Sequence, residues 1–538
     1  MFSKLKAVLG FQNPEEQLVK KEGPLSVYKI PLTEEKITVD GFKFFSFGKE
    51  SHRPHKTIML LGATGAGKST LINWIVNYVL GVNWESSDRF KLIHENISTS
   101  QAESQTSEVS VYKLNHQEGF KVEYSVTIVD TPGFGDTRGI ERDREIVEQL
   151  RTLFSSEHGV REIDSVCFVA KSSSARLTPS QKYVFDSVLS IFGQDIAENI
   201  RIMVTFADGR SPPVLDAINA ADVPCPKTTG GQPVHFKFNN SALFVNNASA
   251  VADSTSDDDD EEGSFDQMFW NMGTKNMRKF FNALNLIQTK SLTMTKEVLQ
   301  ERRQLEVLVE GIQKQVINGL AKLEEIKETG EKLKEFEAEI SRNENFEIKI
   351  TVRKPCQVDI SGTGLFLTNC QRCHFTCHDN CSYADDKDKY RCVSMGPDGY
   401  CNVCPEKCIW NIHYNQKYKW EYKDVTEVKT IEGLKKKHDI AKEAKSPVEA
   451  LIGKLKAEYD AVQAEVEKLI EQSTKSLNRL KEIALRPNPL STAEYIDILI
   501  EGEKNDAKPG WKKRVQSLTD MKTKAQTMAR VERGEKLL

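Results

Sequence analysis

The sequence lacks any run of about 18 apolar residues, so no transmembrane helix is expected. Its first residues, MFSKLKAVLGF, hold no long apolar core and no small-residue cleavage site, which argues against a secretory signal. A strong charge of either sign is also missing. The 74 Lys and Arg against 78 Asp and Glu leave a net charge of −4, which disfavours nucleic acid as a partner. Cysteine is scarce over most of the chain. Of eleven in 538 residues, nine lie between Cys356 and Cys408. In the reducing cytoplasm that these absences imply, clustered cysteines point to metal rather than disulfides.

What is present divides the chain into five stretches, at about 150 residues per domain a plausible size for several units. Residues 1–50 form a mixed N-terminal segment. Phe2, Leu5 and Leu9 fall on one helix face beside Lys4 and Lys6, a weak membrane-surface signal whose plainer reading is a docking terminus. Residues 51–290 alternate short apolar runs (Thr57–Leu61, Val109–Leu114, Ser125–Val129, Ser165–Ala170, Arg201–Phe206) with helical patterns (Leu71–Leu80, Ile140–Leu153, Pro179–Phe192). Such alternation predicts an α/β domain, a mostly parallel sheet with helices on both faces. Proline-rich residues 209–233 read as an inserted loop, and Asp257–Glu262 as a solvated acidic loop.

Beyond Val298 the period becomes seven: Val298, Leu305, Ile312, Gly319, Ile326, Leu333 and Ile340, with Val309, Val316 and Leu323 as a second seam. This predicts a helical or coiled-coil arm over 291–345. A similar seam, Ile452, Leu455, Tyr459, Val462, Val466, Leu469 and Leu480, marks a C-terminal arm over 426–538, with final helical regions Ser491–Leu499 and Trp511–Val531. The arms flank the cysteine segment, 346–425, and are expected to pair as an antiparallel stalk with that module at its tip.

The strand Thr57–Leu61 runs into Gly62, Ala63, Thr64, Gly65, Ala66, Gly67, Lys68, Ser69 and Thr70, and a helix follows. Strand, GxxxxGK[ST] and helix in that order define a phosphate-binding P-loop. Its glycines let backbone N–H groups curl round phosphates, and the helix N-terminus adds the positive end of a dipole. Lys68 is expected on the β- and γ-phosphates and the Ser69 hydroxyl on Mg²⁺. Asp130, at the end of the next strand, would hold the same Mg²⁺, and the Gly133 N–H would sense the γ-phosphate as a switch. Between them lies the hydroxyl-rich stretch Ser98–Ser110, where Thr106 is the expected second Mg²⁺-side hydroxyl and Thr99 its rival. In Thr205-Phe-Ala-Asp208, Asp208 is placed to accept from guanine N1 and N2.

These motifs resemble, in one order, the septin and immunity-associated (GIMAP-type, paraseptin) GTPases, with chloroplast import GTPases as relatives. Ala175-Arg-Leu-Thr178, the helix ending Ile191-Phe192-Gly193, and Phe244-Val-Asn246-Asn247 belong to the same set. The resemblance spans roughly residues 50–290. It implies GTP or GDP with Mg²⁺, base-side contacts from Asn246 and Asn247, and face-to-face dimerisation. Asn239-Asn240 is a second candidate for the Asn–Asn motif. Two departures stand out. Phe206 replaces the usual cation of the guanine motif, which keeps ATP open. Phe134 replaces the water-orienting glutamine of Ras-like enzymes, so hydrolysis would need a group from the first switch or from a partner, with Arg138 and Arg142 the nearest cations.

The cysteine segment offers Cys370, Cys373, Cys377, His378, Cys381, Cys392, Cys401, Cys404, Cys408 and His413, with His374 as a bystander. CxxC puts two thiolates on one knuckle, and a thiolate-rich set suits closed, structural Zn²⁺. About two zinc ions are expected. Association is expected through both the nucleotide domain and the stalk. The rival to a GTPase is a nucleotide-bound scaffold acting through stalk and zinc module.

Overall fold

A computed structural model describes residues 17–22, 25–35, 42–93, 106–135, 138–174, 179–245, 260–340, 347–430, 447–486, 493–506 and 511–537. The chain divides into two compact units. One comprises Met1–Leu299, Ile483–Leu490 and Glu494–Met521; the other comprises Gln300–Glu482, Ser491–Ala493 and Lys522–Leu538.

The main sheet of the first unit has strands β1 (Thr33–Glu34), β2 (Phe42–Phe47), β3 (His55–Gly62), β4 (Val109–Leu114), β5 (Ser125–Asp130), β6 (Ser165–Lys171), β7 (Ile200–Thr205) and β8 (His235–Lys237). Their spatial order is β8-β7-β6-β3-β5-β4-β2-β1. The β8-β7-β6-β3-β5 ladder is parallel throughout. Only β4 on β5 and β1 on β2 run antiparallel. Ile58, Met59, Leu60 and Leu61 are fully buried, as a central strand covered on both faces requires. That is why β3 reads as an unbroken apolar run. Helices α1 (Lys68–Val79), α2 (Ile140–Ser155), α3 (Pro179–Leu189), α4 (Val214–Ala220) and α5 (Asp260–Leu286) accompany the sheet. Trp74 of α1 meets Trp270 of α5 with ring centroids 4.7 Å apart in the core.

Two loop expectations are corrected here. The 209–233 insertion folds a short helix, α4, whose Val214, Leu215 and Ile218 are buried. The last three residues of the acidic run, 260–262, open α5, while 257–259 lie outside the described residues.

In the second unit the long helix α6 (Thr293–Ile340) enters from the first, and α7 (Pro447–Ile483) packs on it through Leu308, Ile312, Val466 and Leu469. The heptad seam closes only in part: its Leu323 stays exposed, as do Ile317 and Leu320 outside the seam. Between α6 and α7 runs a two-stranded ribbon, β9 (Glu347–Asp359) and β13 (Tyr418–Thr430), paired from Glu347↔Thr430 to Asp359↔Tyr418. It carries β10 (Thr368–Cys370), β11 (Phe375–His378) and β12 (His413–Tyr414). The module does not cap the stalk's tip. The ribbon returns it along α6, where Lys314 Nζ reaches Asp379 at 3.0 Å and Val307 joins the cysteine core. A Cβ on Gly311 would stand 3.1 Å from Val403, so glycine permits this close approach. The last helices, α8 (Ala493–Asp506) and α9 (Trp511–Glu532), also depart from a simple C-terminal arm, since Glu494–Met521 belongs to the first unit.

Candidate functional site: a phosphate-binding loop and a cysteine cluster

Five neighbouring parallel strands deliver their C-terminal ends to one edge of the sheet. Gly62, Asp130, Lys171 and Thr205 close four of those strands, and Asn239 and Asn240 follow the fifth. Ligands of open α/β sheets bind at that edge. Gly62 has φ 153° and a Cβ there would lie 2.4 Å from the Val169 carbonyl oxygen, so only glycine fits. Gly65 and Gly67 turn the loop at φ 71° and 85°. Thr205 Oγ1 donates to the Ala66 carbonyl at 2.7 Å, and Asn240 Nδ2 donates to the Gly67 carbonyl at 3.1 Å. The loop is thus fastened from the ends of β7 and β8.

Lys68 opens α1 and is nearly buried. Its Nζ donates to the Gly62 and Ala63 carbonyls, both at 3.1 Å. Burial pulls its pKa from 10.5 down to about 8, with Asp130 opposing the shift. An ammonium held in so little water is poised to gain from phosphate oxygens. Thr106 Oγ1 donates to Asp130 Oδ2 at 3.3 Å, so the two predicted Mg²⁺-side groups meet. Ser69 follows Lys68 in the first turn of α1. Two hydroxyls and a carboxylate are hard oxygen donors and fit Mg²⁺. Thr99 lies outside the described residues.

The Gly133 segment lies against the P-loop. Thr64 N–H donates to the Phe134 carbonyl at 3.0 Å, and Phe134 N–H to the Gly62 carbonyl at 3.2 Å. A Cβ on Gly133 would stand 2.4 Å from Thr64 Cα. Phe134 is fully buried, so its ring takes no part in orienting water. Arg142 is not a solvated surface arginine. It is largely buried, pairs with Glu145 at 2.6 Å and donates to the Ser107 carbonyl beside Thr106. Arg138 remains exposed.

On the base side, Phe206 adopts φ 53° and is 55% exposed, and Asp208 is exposed with Oδ1 accepting the Arg210 N–H at 3.0 Å. Asn246 and Asn247 lie outside the described residues. Among the described residues, the second candidate reaches the P-loop through Asn240, whose Oδ1 is buried and makes no hydrogen bond. Sequence reading missed Lys171. It is the register partner of Thr205, its Nζ lies 5.8 Å from the Phe206 ring centroid, and it would be 3.7 Å from a Cβ on Gly65. A cation therefore does reach Phe206, from the neighbouring strand. The lone lysine ending the apolar run Ser165–Ala170 was the available signal.

In the module, all ten predicted ligands fall into three groups, and within each group the candidate ligand atoms lie within 4.8 Å of one another: Cys370, Cys373, Cys404 and Cys408; Cys377, Cys401, Cys404 and His413; and His378, Cys381 and Cys392. His374 stays outside them, its ring tilted at 52° to that of Trp420 with centroids 4.8 Å apart. The third group is one ligand short of a closed tetrahedron. Its His378 Nε2 faces the Arg303 guanidinium at 2.8 Å, while Nδ1 faces Cys392 Sγ at 3.3 Å. A guanidinium only donates, so Nε2 accepts and a neutral ring carries its proton on Nδ1, towards the sulfur. This trio is satisfied as a hydrogen-bonded cluster. Among the described residues no helix is long and apolar enough to cross a membrane.

A strand, glycine loop and helix holding a buried lysine, with a hydroxyl–carboxylate pair across from it, define a P-loop nucleotide-binding domain. The family model described as Septin matches residues 54–158, about a fifth of the chain, and supports a P-loop GTPase domain of septin type. No curated protein sequence matches the chain. Among solved structures, Toc33 from Arabidopsis thaliana with Mg²⁺ and GMPPNP is 12% identical, over 41% of this chain and 86% of that one, with a TM-score of 0.25. The same protein with GDP and Mg²⁺ gives 13%, 41%, 84% and 0.25. A structure of the chloroplast translocon components atToc33 and psToc159 gives 16%, 44%, 86% and 0.28.

Proposed function

We propose that the protein binds GTP and Mg²⁺ at this edge and hydrolyses GTP slowly, with the nucleotide state controlling association of its G domain. The observation that carries the reading is the buried Lys68 in its glycine loop, facing the Thr106–Asp130 pair. Lys68 and the loop amides hold the β- and γ-phosphates; Ser69, Thr106 and Asp130 hold the metal, which neutralises charge developing on the phosphates. Gly133 reads the γ-phosphate. Asp208 pairs with guanine, Asn240 fixes the loop beneath the base, and Phe206 with Lys171 forms its stacking and cationic side. Asn246 and Asn247 remain part of the proposed base side.

Water activation is the weak point. The Phe134 side chain has no hydrogen-bonding group, and Arg142 is committed to Ser107. A second molecule offering its exposed Arg138 across the nucleotide face would complete the site. The buried Phe134 favours one rival, a nucleotide-bound scaffold that does not turn over. The cysteine module takes about two Zn²⁺ as a structural centre, and the clustering of its thiols with metal-ligand spacing supports a reducing, cytoplasmic setting. Titration of the full chain with guanine and adenine triphosphates tests the nucleotide reading.

A further inference from the structure

Two of the three ligand groups share one member. Cys370, Cys373, Cys404 and Cys408 form one; Cys377, Cys401, Cys404 and His413 form the other. Two tetrahedral ions need eight coordination positions, and these are seven side chains. The count closes only if one sulfur serves twice. We propose that Cys404 is a bridging thiolate and that the seven residues hold two Zn²⁺ ions in a single binuclear cluster. This rests on the zinc reading above and goes beyond it in fixing the arrangement.

Three observations carry it. First, His413 is fully buried; its Nδ1 lies 3.0 Å from the Ile409 carbonyl, and its Nε2 makes no hydrogen bond. A carbonyl only accepts, so the proton sits on Nδ1 and Nε2 keeps its lone pair for the group it belongs to. This is how a ligating imidazole is oriented by its outer hydrogen bond. Second, the sulfurs accept knuckle amides. Cys370 Sγ takes the Cys373 N–H at 3.4 Å, Cys401 Sγ takes the Val403 and Cys404 N–H groups at 3.4 Å each, and Cys404 Sγ takes the Cys408 N–H at 3.3 Å. Such bonds favour the thiolate over the thiol. Third, the spacing suits a metal. Cys373 and Cys408 Sγ lie 3.6 Å apart, close to the roughly 3.8 Å edge of a tetrahedron with 2.3 Å metal–sulfur bonds. Six of the seven ligands are buried. A buried set of thiolates needs cations to be stable, and soft sulfur with one imidazole selects zinc over magnesium or calcium.

Sharing a sulfur couples the two ions. Removal of one leaves Cys404 half-coordinated, so both should leave together. Val403, between Cys401 and Cys404, is also the residue that packs on Gly311 of α6, so loss of the cluster should loosen the module's seat on that helix.

The test is ¹¹³Cd exchange into the purified full-length protein, followed by cadmium NMR. A shared thiolate predicts two resonances with resolved ¹¹³Cd–¹¹³Cd scalar coupling, one of them shifted by a nitrogen ligand. Two bound ions without coupling would overturn the bridge while leaving the zinc reading intact. Absence of bound metal would overturn both. In the same protein, chelator titration should release two ions in one step. Release in two separate steps would contradict the sharing. Neither measurement depends on a variant that folds.

Discussion

Replacing Gly133 by alanine puts a methyl where the P-loop already stands. The new Cβ would lie 2.4 Å from Thr64 Cα and 2.6 Å from Thr64 N. Both are backbone atoms, so no side-chain rotation relieves the overlap. The segment must move away, and the two backbone hydrogen bonds that tie Phe134 to Gly62 and Thr64 are at risk. At about 0.5–1.5 kcal/mol each, their loss costs about 1–3 kcal/mol. That corresponds to roughly 5- to 150-fold in an equilibrium constant. The cost should fall on the triphosphate state, because Gly133 N–H is the group assigned to the γ-phosphate. Affinities of full-length Gly133→Ala for a non-hydrolysable GTP analogue and for GDP should therefore diverge from wild type. The triphosphate-to-diphosphate ratio should drop by that factor while GDP affinity stays within about threefold. Gly230→Ala, whose Cβ would meet nothing closer than 3.9 Å, is the neutral control. An unchanged ratio, or an equal loss for both nucleotides, would refute the switch assignment.

Lys68 makes affinity pH-dependent. Burial holds its pKa near 8, below its ordinary 10.5, so the empty site loses the charge as pH rises through 8. Phosphate favours the ammonium, so binding takes up a proton there. Affinity should be flat below about pH 8 and fall by up to about tenfold per unit above it; a flat profile to pH 9.5 would contradict this. Asp208→Asn should move preference from GTP towards xanthosine triphosphate, because the pairing groups on the base are exchanged; competition binding reads it. GTPase activity per molecule should rise with protein concentration and fall in Arg138→Ala; a concentration-independent rate would assign the chemistry to one chain.

The phosphate site was legible because it is contiguous. One strand, one loop and one helix turn carry it, and the predicted run Val109–Leu114 coincides with β4. Contacts set by strand neighbours were harder to read. Lys171 reaches Phe206 only because β6 and β7 pair in the register that puts it opposite Thr205. Asn240 meets the P-loop because β8 lies beside β7, a fact of topology that left Asn239-Asn240 and Asn246-Asn247 as rivals in the sequence. The ten metal-ligand candidates were legible from spacing, whereas the sharing of Cys404 depends on how two knuckles fold together. The module's position along α6 was misread although both ribbon strands alternate in sequence, through Ile348, Ile350 and Val352 in β9 and Tyr418, Trp420 and Tyr422 in β13, because alternation marks a strand but not the direction in which a ribbon returns the module.

The central claim is that the edge beside Lys68 is a guanine-nucleotide site. Calorimetric titration of the full-length protein with GTP and ATP analogues in Mg²⁺, with Lys68→Ala alongside, tests it most directly. The account predicts one guanine nucleotide per chain, ATP bound at least about tenfold more weakly because Asp208 is left unpaired, and no measurable binding by Lys68→Ala. Equal affinity for both bases, or undiminished binding by Lys68→Ala, would contradict it.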